Sequence, residues 1–384
     1  MRLPARHGAR GGVRRDAVRT VLVTGGAGFV GSGFVALALS SRPDWRVVVL
    51  DALTYAGNLE NLEGLDARFA DRYRFVRGDV ADGAAVGRLF AEEAPSAVVH
   101  FAAESHVDRS LLGPLDFVRT NVLGTATLLE AARGAWAPGG GRFLQVSTDE
   151  VYGALGETGR FTEETPLAPS SPYSASKAAA DQLVLAYHRT FGLDTVVTRC
   201  CNNYGPRQFP EKLIPFLIAR FVDGQTLPVY GKGENVRDWI HVDDHSRGVL
   251  LALEGGRAGQ VYNLGARCER RNLDLVRGLA RELASAAGGD PDRALSRVVF
   301  VKDRPGHDWR YALDPSKAER ELGFRPEVPF DAGLRATVRW YLDHEPWWRR
   351  VQTGEYREFV RRTYEDAGAG GAPPAAAPRG RVGV

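Results

Sequence analysis

The chain has 384 residues, 44% of them hydrophobic and 25% charged, with a formal net charge of +3, enough for a sizeable core in one large or two smaller globular domains. The basic excess sits largely in an amino-terminal tail, where Arg2, Arg6, Arg10, Arg14, Arg15 and Arg19 face only Asp16, so no basic face for nucleic acid is evident. No run reaches the ~18 apolar residues of a membrane span, the tail lacks the apolar stretch of a secretory signal, and Cys200, Cys201 and Cys268 make neither a disulfide framework nor a zinc spacing; a cytoplasmic protein without a metal is expected.

Residues 1–18 read as a disordered basic tail. A strand over 20–24 leads into Gly25-Gly26-Ala27-Gly28-Phe29-Val30-Gly31 and a helix to about residue 40. Further strands are expected over 47–51, 74–80, 97–102, 143–146 and 195–199. A long helix is expected over 114–133, where Leu115, Val118, Val122, Leu129 and Ala132 fall near helical spacing. Strands alternating with helices imply βαβ units and a doubly wound parallel sheet, so 19–205 reads as an α/β, Rossmann-like domain. Beyond it come pieces at 213–222, 227–230, 243–253, 272–286 and 298–301. Phe330, Leu334, Val338 and Tyr341 then give one apolar helical face. These read as a smaller carboxyl-terminal substrate domain over 206–350, with the chain crossing back around 240–265. The Gly/Ala/Pro-rich 366–384 reads as a second disordered tail.

Gly25, Gly28 and Gly31 form G-x-x-G-x-x-G between a strand and a helix. Such glycines let the backbone approach a pyrophosphate at a helix amino end, where free N–H groups favour anions. Asp51 ends the next strand, about twenty residues on. A carboxylate there accepts from a ribose 2′-hydroxyl and repels a 2′-phosphate, which points to NAD rather than NADP. Asp79-Val80 fits either an adenine-edge contact or a turn cap.

The strand over 143–146 runs into Ser147-Thr148-Asp149-Glu150, a hydroxyl and two acids at a strand's carboxyl end, where ligands of open α/β sheets bind. Tyr173-x-x-x-Lys177 then places a phenol and an amine on one helix face. A Lys cation and a cofactor's positive ring would lower the phenol from its usual pKa of about 10. Tyr173 could then take a proton from a sugar hydroxyl as a hydride leaves. Following a dinucleotide fingerprint, this pattern resembles the extended short-chain dehydrogenase/reductase superfamily. Asp149-Glu150 adds the acid and base that eliminating water requires, which a 4-epimerase does not need. Glu163-Glu164 nearby reads only as a solvated turn.

With Ala102-Ala103-Glu104-Ser105-His106-Val107-Asp108-Arg109-Ser110, Asn202-Asn203-Tyr204-Gly205-Pro206, Phe209-Pro210-Glu211-Lys212-Leu213 and Arg237-Asp238-Trp239 added, the sequence resembles the dTDP-glucose 4,6-dehydratase family over roughly 19–345. The resemblance implies that Tyr173 is the base for oxidation at carbon 4, that Lys177 tunes it and binds the nicotinamide ribose, and that Thr148 holds the carbon 4 oxygen. It implies Glu150 as the base at carbon 5 and Asp149 as the acid for the carbon 6 hydroxyl. Gly25, Gly28, Phe29, Val30, Gly31, Asp51, Ala52, Leu53, Thr54, Asp79, Val80, Phe101, Ala102, Ala103, Glu104, Ser105, Thr120 and Asn203 would line NAD. Ser105, Asn202, Lys212, Leu213, Arg237, Asn272, Arg304 and His307 would hold the nucleotide diphosphate of the sugar substrate. A homodimer is implied as well.

Other readings stay open. A sugar-nucleotide epimerase or decarboxylase of the same superfamily, or a non-catalytic NAD-binding module, would share the cofactor motif. Cys200 and Cys201 read as core packing, and His106 as a possible substrate contact. His241, Asp243, Asp244 and His245 read as a helix start rather than a metal cluster. Arg207, Trp309 and the loop at 135–141 depart from the family's pattern and keep a TDP-versus-UDP ambiguity.

Overall fold

Val21, Leu22 and Val23 of strand β1 (Arg19–Thr24) are all buried, as a strand covered by helices on both faces must be. The computed structural model, which describes residues 19–303 and 306–361, sets β1 inside a seven-stranded sheet. The partners are β2 (Trp45–Asp51), β3 (Tyr73–Arg77), β4 (Ala97–His100), β5 (Arg142–Thr148), β6 (Asp194–Cys200) and β10 (Gln260–Leu264). Their order is β10-β6-β5-β4-β1-β2-β3, and every pair in it is parallel. Strand order reverses at β1 and β4, which opens a crevice at their carboxyl ends. The Rossmann-like α/β class is therefore the observed one. Both expected tails lie outside the described residues.

The sheet separates two apolar layers. Phe34, Val35 and Leu39 of helix Phe29–Ser41 pack on one face with Val249 and Leu253 of helix Val242–Gly255. Val86, Phe90, Leu128 and Val184 pack on the other. A third cluster belongs to a second lobe, where Leu217, Leu279, Val338 and Trp348 meet. That lobe carries a three-stranded sheet of β7 (Asn202–Tyr204), β9 (Val236–His241) and β11 (Glu269–Arg271), and a parallel pair of β8 (Leu227–Tyr230) with β12 (Val298–Val301). Between the two lobes, helix Val242–Gly255 returns to the first sheet and delivers β10.

Three details differ from the sequence expectation. Strands β3 and β4 end sooner, at Arg77 and His100, and the chain beyond each turns into the crevice. The expected helix over 114–133 is divided. A wide π turn, Val118–Leu123, separates Pro114–Phe117 from Gly124–Ala135. Such an inserted residue re-aims side chains, and here the side chain of Asn121 reaches the loop after β4. Finally, Glu163 is no solvated turn residue: its Oε1 accepts the Asn263 N–H of edge strand β10 at 2.8 Å, and burial raises its pKa.

Among the described residues, no helix is long and apolar enough to cross a membrane.

Candidate active site

The crevice is a cleft of about 380 Å³ that runs across the carboxyl ends of the strands. At one end the turn Gly25–Gly31 is packed too tightly for a side chain at Gly25 or Gly31. Gly25 has φ +70°, and a Cβ on it would lie 2.5 Å from the Ala102 nitrogen; one on Gly31 would lie 2.2 Å from the Gly25 oxygen. Gly28 caps helix Phe29–Ser41 without a side-chain hydrogen bond. The helix therefore presents backbone N–H groups to the cleft, as an anion requires. Asp51 stands beside it. Its two oxygens accept from Ala27 N and Leu53 N at 2.9 and 2.8 Å. Each oxygen keeps a lone pair, so the carboxylate can still accept from a diol. These residues fit the pyrophosphate and ribose of a dinucleotide.

The expected cofactor residues Phe29, Val30, Ala52, Thr54, Asp79, Val80, Phe101 to Ser105, Thr120 and Asn203 all line the cleft. Leu53 does not. Its backbone takes φ +54°, and its side chain lines an adjoining cavity; its contribution is the N–H given to Asp51. Asp79 does cap a turn, accepting from Ala81 N at 2.8 Å, and it also pairs with Arg119 at 2.7 Å.

The acids lie further along. Thr148 ends β5 and caps the short turn Asp149–Tyr152. Its hydroxyl accepts from Glu150 N at 3.2 Å and donates to Asp149 Oδ1 at 3.2 Å. Asp149 Oδ2 is buried with no hydrogen-bond partner among the described residues. Burial, and then the neighbouring Glu150, hold this carboxyl well above the usual range, while Arg237 pulls the other way. Such surroundings favour the protonated carboxyl, the form that can donate a proton.

Tyr173 opens helix Pro172–Phe191, which Ser171 and Ser174 start with a reciprocal capping box. Tyr173, Ser176, Lys177 and Asp181 share the buried side of that helix. Burial followed by Glu150 raises the Tyr173 phenol well above its ordinary value, while the Thr148 hydroxyl acts to lower it. Lys177 Nζ donates to the Val146 carbonyl at 2.8 Å. The sequence led us to expect Lys177 to lower the phenol. The largest influences on Tyr173 are instead its burial and then Glu150, which both raise it, while Thr148 pulls the other way. In the polypeptide alone the raising influences are the larger.

Of the expected nucleotide-holding residues, Ser105, Asn202, Lys212 and Leu213 line the cleft, and Lys212 Nζ reaches the Ser105 carbonyl at 2.6 Å. Arg237 lies behind it. Its guanidinium donates to the Val236 and Asp308 carbonyls at 2.8 and 2.9 Å and sits 4.1 Å from the Tyr311 ring centre. Asn272, not among the lining residues, starts a helix with its N–H on the Asn235 carbonyl at 2.9 Å. His307 pairs with Asp303 at 2.6 Å. Arg304 lies outside the described residues.

Sequence reasoning passed over several lining residues: Tyr55, Arg119, Gln208, Phe209, Trp239 and His245. Cys200 and Cys201, taken for core packing, are buried yet line the cleft too. Asn121 also went unnoticed; it brackets Glu104 through both backbone groups, at 2.9 and 3.0 Å, and reaches Ser176 Oγ at 2.8 Å. Only the π turn aims it there, and no pattern in the sequence announces that. The His241 group is a helix start, with His241 accepting from Asp243 N at 3.3 Å. Among the described residues no cluster of His, Cys, Asp and Glu could hold a metal.

Known proteins resemble this chain over nearly its whole length. The GDP-mannose 4,6 dehydratase family matches residues 22–337. The dTDP-glucose 4,6-dehydratase of Xanthomonas campestris pv. campestris (strain B100) is 53% identical over 347 residues, which is 88% of this chain and 97% of that protein. The chain belongs to the dTDP-glucose 4,6-dehydratase family.

Among solved members of that family, the Streptomyces venezuelae enzyme DesIV, with NAD and TYD bound, is 52% identical and superposes with a TM-score of 0.80, covering 86% of this chain and 99% of its own. The fold extends beyond the family. The UDP-glucose 4-epimerase of Thermus thermophilus, in complex with NAD, is 34% identical with a TM-score of 0.75, over 85% of this chain and 99% of that one.

Proposed function

We propose that the chain is a dTDP-glucose 4,6-dehydratase that uses NAD and releases the 4-keto-6-deoxy sugar nucleotide. The observation that carries this reading is the buried Asp149, its pKa raised, beside Glu150, both lining one cleft with Tyr173 and Lys177. An acid and a base in addition to the Tyr/Lys pair are what loss of water requires beyond oxidation.

NAD bound here would supply a hydride acceptor for carbon 4 and a donor for carbon 6, and its oxidised ring a positive charge that lowers a neighbouring phenol. Gly25 to Gly31 and Asp51 would hold its pyrophosphate and adenosine ribose, and Lys177 its second ribose. Tyr173 accepts the carbon 4 hydroxyl proton while Thr148 orients that oxygen. The resulting ketone acidifies carbon 5, whose proton Glu150 takes. Asp149 protonates the carbon 6 hydroxyl, which leaves as water. After the hydride has returned to carbon 6, carbon 5 regains a proton, so the reaction shows no net redox. Ser105, Asn202, Lys212, Leu213, Arg237, Asn272, Arg304 and His307 are assigned to the nucleotide diphosphate, Arg237 neutralising phosphate charge.

The reading includes a cytoplasmic homodimer, with an NAD domain over 19–205 and a substrate domain mainly over 206–350. Its dimer surface is the stretch holding Leu111, Leu112, Leu115, Val118 and Leu123, all exposed; contiguous apolar surface of that kind marks an interface.

Purified protein given dTDP-glucose should yield a product lighter by one water, with no consumption of added NAD. A product retaining its carbon 6 oxygen would favour an epimerase, and no product with dTDP-, UDP- or CDP-glucose would end the proposal. Asp149→Asn combined with Glu150→Gln should stop water loss yet leave bound reduced nicotinamide visible in absorbance.

A further inference from the structure

His245 has no part in the chemistry above, although it lines the cleft and is completely buried. It sits near the start of helix Val242–Gly255, where His241 rather than His245 supplies the cap. One ring nitrogen, Nδ1, lies 2.9 Å from Asn203 Oδ1. The orientation of the Asn203 amide is fixed independently, because its Nδ2 donates to the Cys201 carbonyl at 3.0 Å and lies 3.3 Å from Cys200 Sγ. A carbonyl can only accept, so Oδ1 is the atom that faces the histidine, and Nδ1 must carry the proton. Burial lowers the ring's pKa to about 4, so the ring is neutral and Nε2 is a bare acceptor. That atom is buried and has no hydrogen-bond partner among the described residues. Native structures seldom leave such an acceptor unmade.

The sheet order says which group could satisfy it. Asp51 ends β2, Asp79 follows β3, and the glycine turn follows β1. Thr148 ends β5, and Asn203 lies just past β6. Strands lie about 4.8 Å apart, so the cleft extends roughly 20 Å from the Asp51 end to the Asn203 end. A dinucleotide with its adenosine at Asp51 and its pyrophosphate at the glycine turn therefore brings its nicotinamide half to β5 and β6. At that half its N–H donor is the carboxamide. We propose that His245 Nε2 accepts a hydrogen bond from the nicotinamide carboxamide, which makes His245 a cofactor-positioning residue held in register by Asn203. This rests on the cofactor reading above.

The test is a binding measurement rather than an assay of turnover. Full-length protein, stripped of nucleotide, is titrated calorimetrically with NAD and with the acetylpyridine analogue, in which a methyl ketone replaces the carboxamide and no N–H remains. The wild type should bind NAD about 3- to 10-fold more tightly, the size of one neutral hydrogen bond. His245→Asn keeps an N–H for Asn203, while its carbonyl oxygen is too short in reach to replace Nε2. It should bring the two affinities within about twofold of each other, mainly by weakening NAD. His245→Leu should erase the preference too. Equal affinity of the wild type for both dinucleotides would overturn the proposal without any mutant. So would a His245→Asn protein that keeps the wild-type preference, or one that weakens both ligands equally, which would assign Nε2 to a ribose hydroxyl or to packing. A wild type that binds NAD well but shows no preference refutes this contact alone. Failure to bind NAD at all refutes the cofactor reading.

Discussion

The Thr148 hydroxyl donates to Asp149 Oδ1 at 3.2 Å and leaves Asp149 Oδ2 buried without a partner among the described residues. Half of the carboxyl is held and half is kept for something else, and the cost of that arrangement depends on pH. An unfolded Asp titrates near ~3.9, whereas burial and Glu150 raise the folded group well above its usual value. Below about pH 4 both states carry the proton and the site costs nothing extra. As pH climbs past that value, the unfolded chain releases its proton while the folded chain keeps it. Stability therefore falls with rising pH until the folded group titrates. Asn has the shape of the protonated acid and no proton to lose. We expect Asp149→Asn to melt a few °C above wild type at pH 7, a gap that closes toward pH 4, while dehydration slows by roughly 10²- to 10⁴-fold. Calorimetry at several pH values with a product assay at neutral pH checks both; a variant that gains nothing at pH 7 contradicts the account.

The glycine turn allows a sharper test, because the obstacle at Gly31 is backbone. A Cβ there would meet the Gly25 oxygen at 2.2 Å and the Gly26 Cα at 2.9 Å, and neither can swing aside as a flexible side chain could. Gly31→Ala should lower the melting temperature and weaken NAD binding at least tenfold, as the turn opens and the N–H groups lose their aim. Gly87 makes the control. Nothing lies within 4 Å of its added Cβ, and it is mid-helix in Gly83–Glu93, so Gly87→Ala should stabilise by about 0.5–1 kcal/mol. Parallel melting curves and NAD titrations compare the two.

Much of this site was legible beforehand, for a physical reason. Gly25, Gly28 and Gly31, Asp51, and Tyr173 with Lys177 are constrained by local geometry, namely a turn, a strand end and one helix face, and local geometry is written in spacing. Arg237 was harder. The resemblance implies that it holds the nucleotide diphosphate, but spacing does not show that β9 is a short, buried strand or that the Val236 and Asp308 carbonyls accept from its guanidinium. His245 and Asn121 were not legible at all. One depends on a helix that returns from the second lobe, the other on a π turn, and both are products of long-range packing. The depth of the Tyr173 phenol was illegible for a similar cause, since only the folded chain shows how strongly burial raises it before a cofactor's charge is added.

A link between the lobes is open to a stability measurement. Glu211, with a side chain 1% exposed, meets Arg109 Nε at 2.8 Å, and the same guanidinium lies 3.9 Å from the Tyr55 ring centre. Removing one partner of a buried pair strands the other charge, at a cost of about 3–5 kcal/mol. Arg109→Leu should therefore destabilise strongly at neutral pH. Glu211→Gln should cost less, because it leaves no buried anion behind. Adding Glu211→Gln to Arg109→Leu should recover part of the loss. Denaturant unfolding of the three proteins and the wild type closes a cycle, and strictly additive costs would show that the pair is not coupled.

The last expectation concerns the surface of residues 111–123. Leu115 is 79% exposed and Val118 50%, which is costly for a monomer in water and ordinary for a helix that packs against a second copy. The same stretch positions Thr120 at the cleft and Asn121 against Glu104 and Ser176. An interface here would stiffen the wall of the site from outside. Leu115→Glu with Val118→Arg replaces apolar contact by charge at positions that touch no catalytic side chain. Light scattering should give twice the chain mass for wild type and the chain mass for the double variant, with far-ultraviolet dichroism unchanged. Activity per chain should fall several-fold in the monomer, as Thr120 and Asn121 lose their backing. A wild type that is already monomeric at micromolar concentration would dismiss this surface as an interface. A variant that stays dimeric would move the interface elsewhere on the molecule.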